Sequence, residues 1–371
     1  MENKNQILSE IDRREATDIV YEKLCFGDVF YSDDINIEDI QTAIDLDERP
    51  VFLEGVVSRL QQLGLKCDID DTDLILAEIK RRYKEQLGFD CPRTVKEWIR
   101  GTIPSVINRK NNYDLCFALE MNLEETAEFF MKHYLTIPFN YKDRTDAIFF
   151  YCLFNKKAYS VVKKMLPESS TYKTNNRSDT ATLQIGRHIC DIDNDGEFLQ
   201  YLSDHCYNKE QQYQMAKKEI SFLIEKHSGG NSVQFEDKVM GFNYQENLKA
   251  KPQKINELPR RFTKSLPQRC IFDDIQNGNE ETYETLRKTL IISKLYDFYI
   301  DRKEMEKSNE QKIRDDLLDF YDEVNLTLNK CGFVQLYERH PFDWLILFCA
   351  THPYPIDAFY SLNDMRYRDI G

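Results

Sequence analysis

A mainly α-helical, multi-helical fold is what this sequence predicts, and three observations predict it. Apolar residues recur at helical spacing over long stretches, and strand-type alternation is nearly absent. Residues that start and stop helices punctuate those stretches.

Taken in chain order, the first helical pattern holds Ala77–Leu87, after which Gly88 suits a tight turn. Pro92 pre-sets the first turn of a short helix, in which Val95, Trp98 and Ile99 share one face at i, i+3 and i+4. Arg93, Lys96, Glu97 and Arg100 lie on the opposite face. Gly101 stops this helix, and Pro104 prevents its resumption. Arg109–Met121 follows with Leu115, Ala118 and Leu119 inward. Asn122 then caps a further helix, with Glu125 three residues on completing a capping-box pattern. Thr182–Ile189 is too short to assign as helix or strand. Glu281–Ile300 is apolar on more than one face, which predicts a central, covered helix. In Gln311–Asn329 the residues Ile313, Leu317, Phe320, Tyr321, Val324 and Leu328 form one stripe, with acidic residues opposite and Gly332 following. Phe342–Ala350 is too short and too apolar for a surface helix and reads as a plug in a C-terminal core.

The chain has 371 residues, and at roughly 150 per domain this predicts two or three domains. The divisions expected are an acidic helical region over 1–71, a subdomain over 72–137 and a helical region over 138–227. A basic, proline-punctuated linker over 228–268 and a C-terminal helical domain over 269–371 complete them. Pro167–Thr180 is a polar loop within the third. The longest apolar run, Ala147–Phe154, has eight residues against the ~18 that a membrane span needs. No partner membrane is expected, and no apolar leader follows Met1. The ten cysteines are scattered without C-x-x-C spacing, which points to buried thiols in a reducing cytoplasm.

Charge is unevenly distributed. The net charge is −14, yet residues 1–79 carry 7 basic and 20 acidic residues while 80–110 carry 9 basic and 3 acidic. Such asymmetry is the trace of a localised anion-binding face, or of a solvated helix with a charge run. The acidic N-terminus could fold over the basic face and compete for it. The segment 245–270 adds seven basic and two acidic residues, the composition of a linker or of a nucleic-acid arm.

The run Thr94-Val95-x-x-Trp98-Ile99-x-Gly101-x-x-Pro104-Ser105 is followed by Tyr113-x-Leu115-x-x-Ala118-Leu119-x-Met121-x-Leu123. In this order of elements, residues 72–133 resemble the lambda-repressor-like (XRE-type) helix-turn-helix regulators. The resemblance implies an embedded helix-turn-helix subdomain whose recognition helix is Arg93–Arg100. Arg93, Thr94, Lys96, Glu97 and Arg100 would then face a DNA major groove, with Asn108, Arg109 and Lys110 near phosphates. Two departures stand out: one residue more than usual separates Gly88 from Trp98, and the preceding helix carries Lys80, Arg81, Arg82 and Lys84. The chain after residue 133 resembles uncharacterised proteins of bacterial mobile elements and prophages.

Catalytic and metal patterns are weak. Asp191-x-Asp193-x-Asp195-Gly196 opens like a calcium loop, but its twelfth position is Leu202 rather than Glu. These aspartates read instead as a loop capping a Glu197–Tyr207 helix. His188, Cys190, His205 and Cys206 have no standard zinc spacing. His340 and Asp343 have no nucleophile placed to join them. No phosphate-binding, nucleophile-elbow or zinc-protease motif occurs. The expectation is therefore no catalytic residue, no metal and no cofactor. The leading reading is a non-catalytic, sequence-specific regulator that binds double-stranded DNA, of mobile-element or prophage type, with a possible homodimer. The alternatives are a helical protein-interaction component using the same scaffold to hold a protein partner, and a metal-dependent enzyme using Asp191, Asp193 and Asp195.

Overall fold

The computed structural model describes residues 51–102, 104, 109–171, 182–241, 267, 270–279, 282–300, 310–337, 340–352 and 354–368. Sixteen α-helices and no strand occur among them, so the fold is mainly α. The backbone divides into two compact units. One contains Glu48–Glu210 with Gly332–Val334, and the other contains Gln211–Cys331 with Gln335–Gly371.

In the first unit the helices run α1 (Val51–Gln62), α2 (Thr72–Arg82), α3 (Arg93–Ile99), α4 (Arg109–Ala118) and α5 (Leu123–Phe129). They continue as α6 (Arg144–Phe154), α7 (Tyr159–Ser169), α8 (Thr182–Asp191) and α9 (Asp195–His205). Two of these helices end in wider π-type turns, Tyr83–Leu87 after α2 and Phe130–Tyr134 after α5. The expected capping box is present: Asn122 Oδ1 accepts from the Glu125 N–H, and Glu125 Oε2 accepts from the Asn122 N–H, both at 2.9 Å. Helix α6 is buried from Ala147 to Leu153, as an all-round apolar helix must be. It supplies Phe149, whose ring stacks on Tyr113 at 4.6 Å, while Phe130 stacks on the same tyrosine at 4.6 Å.

Two expectations for this unit are corrected. The polar loop expected from Pro167 starts later, because α7 runs on to Ser169. The hydroxyls of Ser169, Ser170 and Thr171 then donate to the carbonyls of Leu166, Pro167 and Glu168, and the N–H groups of Ser170 and Thr171 reach the latter two as well. Asp191 closes α8, and the cap of α9 is Asn194, which accepts from the N–H groups of Gly196 and Glu197 at 2.9 and 3.1 Å. Asp195 Oδ1 instead accepts from Lys157 Nζ at 2.7 Å and the Tyr151 hydroxyl at 3.0 Å. The ambiguous Thr182–Ile189 stretch is helical, within α8.

The second unit holds α10 (Lys209–Ser228), α11 (Ser232–Met240), α12 (Ile271–Asn277), α13 (Tyr283–Tyr299), α14 (Glu310–Lys330), α15 (Pro341–Thr351) and α16 (Pro355–Arg368). As expected, α13 is buried on several faces, at Leu286, Leu290, Ile291, Ile292 and Leu295. Helix α15 is the buried C-terminal plug, with Leu345 to Ala350 out of solvent. It is pinned by Arg287 of α13, whose two terminal nitrogens donate to the two Asp343 oxygens at 2.8 and 2.7 Å. His340 caps α15, its Nδ1 accepting from the Asp343 N–H. Burial opposes charge on that carboxylate, but Arg287 and His340 hold it far below the usual carboxylate range.

Candidate nucleic-acid interface

The short helix α3 is fixed by three side chains on one face. Val95, Trp98 and Ile99 are all buried. The indole of Trp98 meets Phe52 of α1 edge-on at 5.8 Å and Tyr134 at 6.2 Å. Helix α2 leads into it through Gly88, whose φ of 77° is left-handed, and Pro92 takes the N-cap position. At its far end Gly101, with φ of 99°, donates to the Trp98 carbonyl at 3.0 Å and turns the chain away. Two turns of helix are thereby held rigidly, with their other face outward.

That outward face carries the expected residues. Arg93 is 91% exposed, and its Nε donates to Glu97 Oε1 at 2.7 Å. Arg100 is exposed at the C-cap, while Thr94, Lys96 and Glu97 are half-buried at the rim. Lys96 and Arg100 form no ion pair with a described residue. The neighbouring Cys91 thiol is pushed up to about 11 by burial, against the opposing pull of Lys96 and Lys80, which leaves it a neutral packing group.

The flanking cations divide sharply. Asn108 lies outside the described residues. Lys110 is exposed, with Nζ 2.7 Å from Asp114 and 5.8 Å from the centre of the Phe89 ring. Arg109 is corrected: it does not stand near a phosphate surface but is buried. Its guanidinium is held by Asp146 and by the carbonyls of Ile137 and Pro138 at 2.9 and 3.0 Å. Of the α2 cations, Arg82 is likewise buried, on Glu78 and Glu120 at 2.8 and 2.7 Å. Arg81 pairs with Glu78 and Glu85, Lys84 reaches Asp90 at 3.3 Å, and Lys80 is exposed and forms no ion pair with a described residue. The net of six positive charges in 80–110 therefore overstates the free charge at the surface.

One residue that positions this site carries no signal in its local pattern. Arg59 of α1 donates from Nε to the Leu119 carbonyl at 2.9 Å and from Nη2 to the Glu120 carbonyl at 2.6 Å, and pairs with Glu125 at 2.7 Å. A single guanidinium thus closes the end of α4 and the start of α5, where Glu120 adopts a left-handed φ of 53°.

The alternative sites stay dispersed. His188, Tyr201 and His205 stack ring on ring at 4.5 and 4.2 Å, and burial with the adjacent His188 lowers the His205 pKa. Cys206 is buried and donates from Sγ to the Tyr141 carbonyl at 3.1 Å. No group of three or more His, Cys, Asp or Glu side chains is arranged to hold a metal ion among the described residues. No helix among them is long and apolar enough to cross a membrane. No protein-family model matches the chain, and no curated protein or solved structure is detectably similar to it.

Proposed function

We propose that residues 72–133 are a lambda-repressor-like helix-turn-helix that binds double-stranded DNA, and that the protein is a non-catalytic, sequence-specific regulator of bacterial mobile-element or prophage type. The observation that carries this reading is the construction of α3. A helix two turns long is locked from below by Trp98, Val95 and Ile99 and offers Arg93, Thr94, Lys96, Glu97 and Arg100 outward. Helix-turn-helix proteins dock in a major groove with that arrangement: a helix preceded by a turn and a second helix, with side chains of its exposed face reaching base edges. An arginine there can pair with guanine O6 and N7, worth ~1–3 kcal/mol of discrimination per good contact.

A second reading is supported by Glu97, Glu85 and Asp90. They place carboxylates among the cations, as a face that holds a protein would. Selection of bound duplexes from a random pool at physiological salt separates the two. An Arg93→Ala/Lys96→Ala/Arg100→Ala variant, checked for folding, runs alongside. An enriched motif that the variant loses supports the regulator. No enrichment, with both proteins alike, overturns it in favour of a protein partner.

A further inference from the structure

Helix α7 and the turn before it carry a second set of cations on the same unit. Residues 147–167 hold four lysines, Lys156, Lys157, Lys163 and Lys164, and no carboxylate, in a chain whose net charge is −14. Lys157 is occupied by Asp195. Lys156, Lys163 and Lys164 are exposed and form no ion pair with a described residue. On α2, α3 and the turn after α2, Arg81, Lys84 and Arg93 are each tied to a carboxylate, which leaves Lys80, Lys96 and Arg100 as the exposed or half-buried cations there without an ion pair to a described residue. These lysines add exposed positive charge to this unit, although α7 also carries Glu168 and Lys164 acts on Asp195 from a distance.

Helix α7 lies against the helix-turn-helix itself. Tyr159, its first residue, meets the ring of Phe89 in the α2–α3 connection at 5.9 Å and that of Phe117 of α4 at 5.5 Å. Its hydroxyl donates to Asp114 of α4 at 2.7 Å. Lys110 stands over the other partner of this contact, Phe89. Lys163 follows Tyr159 by one helical turn, so it stands on the flank of α7 nearest that contact. Asp114, the carboxylate at the junction, is buried and already shared by Lys110 and Tyr159, so it does not offset the lysines at the surface.

We infer that Lys156, Lys163 and Lys164 form a phosphate-contacting flank of the DNA interface, engaging the duplex backbone beside the stretch read by α3. This rests on the DNA-binding reading and extends it to a residue set outside the helix-turn-helix. Lysine suits that task. It is a flexible point charge that neutralises phosphate without the planar fork used on guanine. Each phosphate neutralised releases counterions, so such contacts act on affinity for every sequence alike.

The test compares the full-length protein with a Lys156→Gln/Lys163→Gln/Lys164→Gln variant of matched thermal stability. Binding to the selected duplex and to a scrambled duplex is measured from about 50 to 300 mM salt. The variant is expected to bind both duplexes more weakly and to select the unchanged motif. Its slope of log affinity against log salt should be shallower by about 0.9 for each phosphate that is no longer neutralised. A variant that keeps the wild-type slope and affinity, while the α3 variant loses the motif, overturns the flank and leaves the regulator standing. A wild-type protein that binds neither duplex overturns both.

Discussion

Arg109 and Asp146 form an ion pair in the interior of the first unit, with Nη2 and Oδ2 2.6 Å apart and side chains only 9% and 1% exposed. The same guanidinium donates to the carbonyls of Ile137 and Pro138, and so it joins the start of α4, the 136–138 segment and the first turn of α6. Removing one partner of a buried pair leaves an uncompensated charge and costs about 3–5 kcal/mol. Arg109→Ala is therefore expected to lose that much stability, and Lys132→Ala, which breaks an exposed pair with Glu128, less than about 1 kcal/mol. The two tryptophans make the measurement direct, because Trp98 lies in the first unit and Trp344 in the second. Urea unfolding of a Trp344→Phe protein reports the first unit through Trp98 alone. A loss under about 1 kcal/mol for Arg109→Ala would contradict the buried role.

Phe52 shields the indole of Trp98. Phe52→Ala is expected to cost about 3–5 kcal/mol, the range for emptying a packed aromatic site. It should also shift Trp98 emission to the red as water reaches the ring. Unchanged emission with unchanged stability would show that α1 does not support α3.

The Asn122–Glu125 box is exposed and local, so its loss should be modest. Asn122→Ala is expected to destabilise the first unit by about 1 kcal/mol, and Asn122→Asp to restore most of that. Equal destabilisation by both variants would argue against the cap.

Acid sensitivity of the first unit should pass in part through Glu78. Hydrogen bonds from Arg81 and then Arg82, working against burial, lower its pKa in the folded state. Its contribution is complete above the unfolded value of roughly 4.3 and fades as pH falls through the lowered folded value. The urea midpoint of the wild type should therefore fall more steeply from about pH 5 to about pH 3 than that of Glu78→Gln. Parallel profiles would remove Glu78 from the account.

In the second unit, Asp343→Asn strips the carboxylate from the buried Arg287. A loss of about 3–5 kcal/mol is expected, read from Trp344 emission in a Trp98→Phe protein. A neutral result would mean that the Gln335 carbonyl, 3.0 Å from Arg287 Nη2, suffices for that cation.

Local signals in the chain were readable, and distant ones were not. Helix α14 was legible because its apolar stripe, Ile313 to Leu328, repeats over about four turns, and the capping box because both partners lie within four residues. Helix α8 was ambiguous because Thr182–Ile189 is a short stretch. Its packing adds what no local pattern carries: a Cβ at Gly186 would stand 2.8 Å from the Tyr141 ring, so the close approach of helix and ring requires a glycine there. The candidate site divides in the same way. The buried face of α3 followed from i, i+3 and i+4 spacing, whereas the fates of Arg59, Arg82 and Arg109 depend on partners about 40 to 60 residues away. Charge counting treats a cation bound to a buried aspartate and one open to solvent alike, so it overvalued the 80–110 window.

The reach of Arg59 and Phe52 from α1 bears on how this protein can be cut. A fragment beginning at residue 72 keeps all of α2 to α5, yet it strips the phenyl ring from Trp98 and the guanidinium from the Leu119 and Glu120 carbonyls. Such a piece would expose an indole and two bare carbonyls at once, and would be prone to aggregate during expression. The smallest fragment worth making starts before Val51.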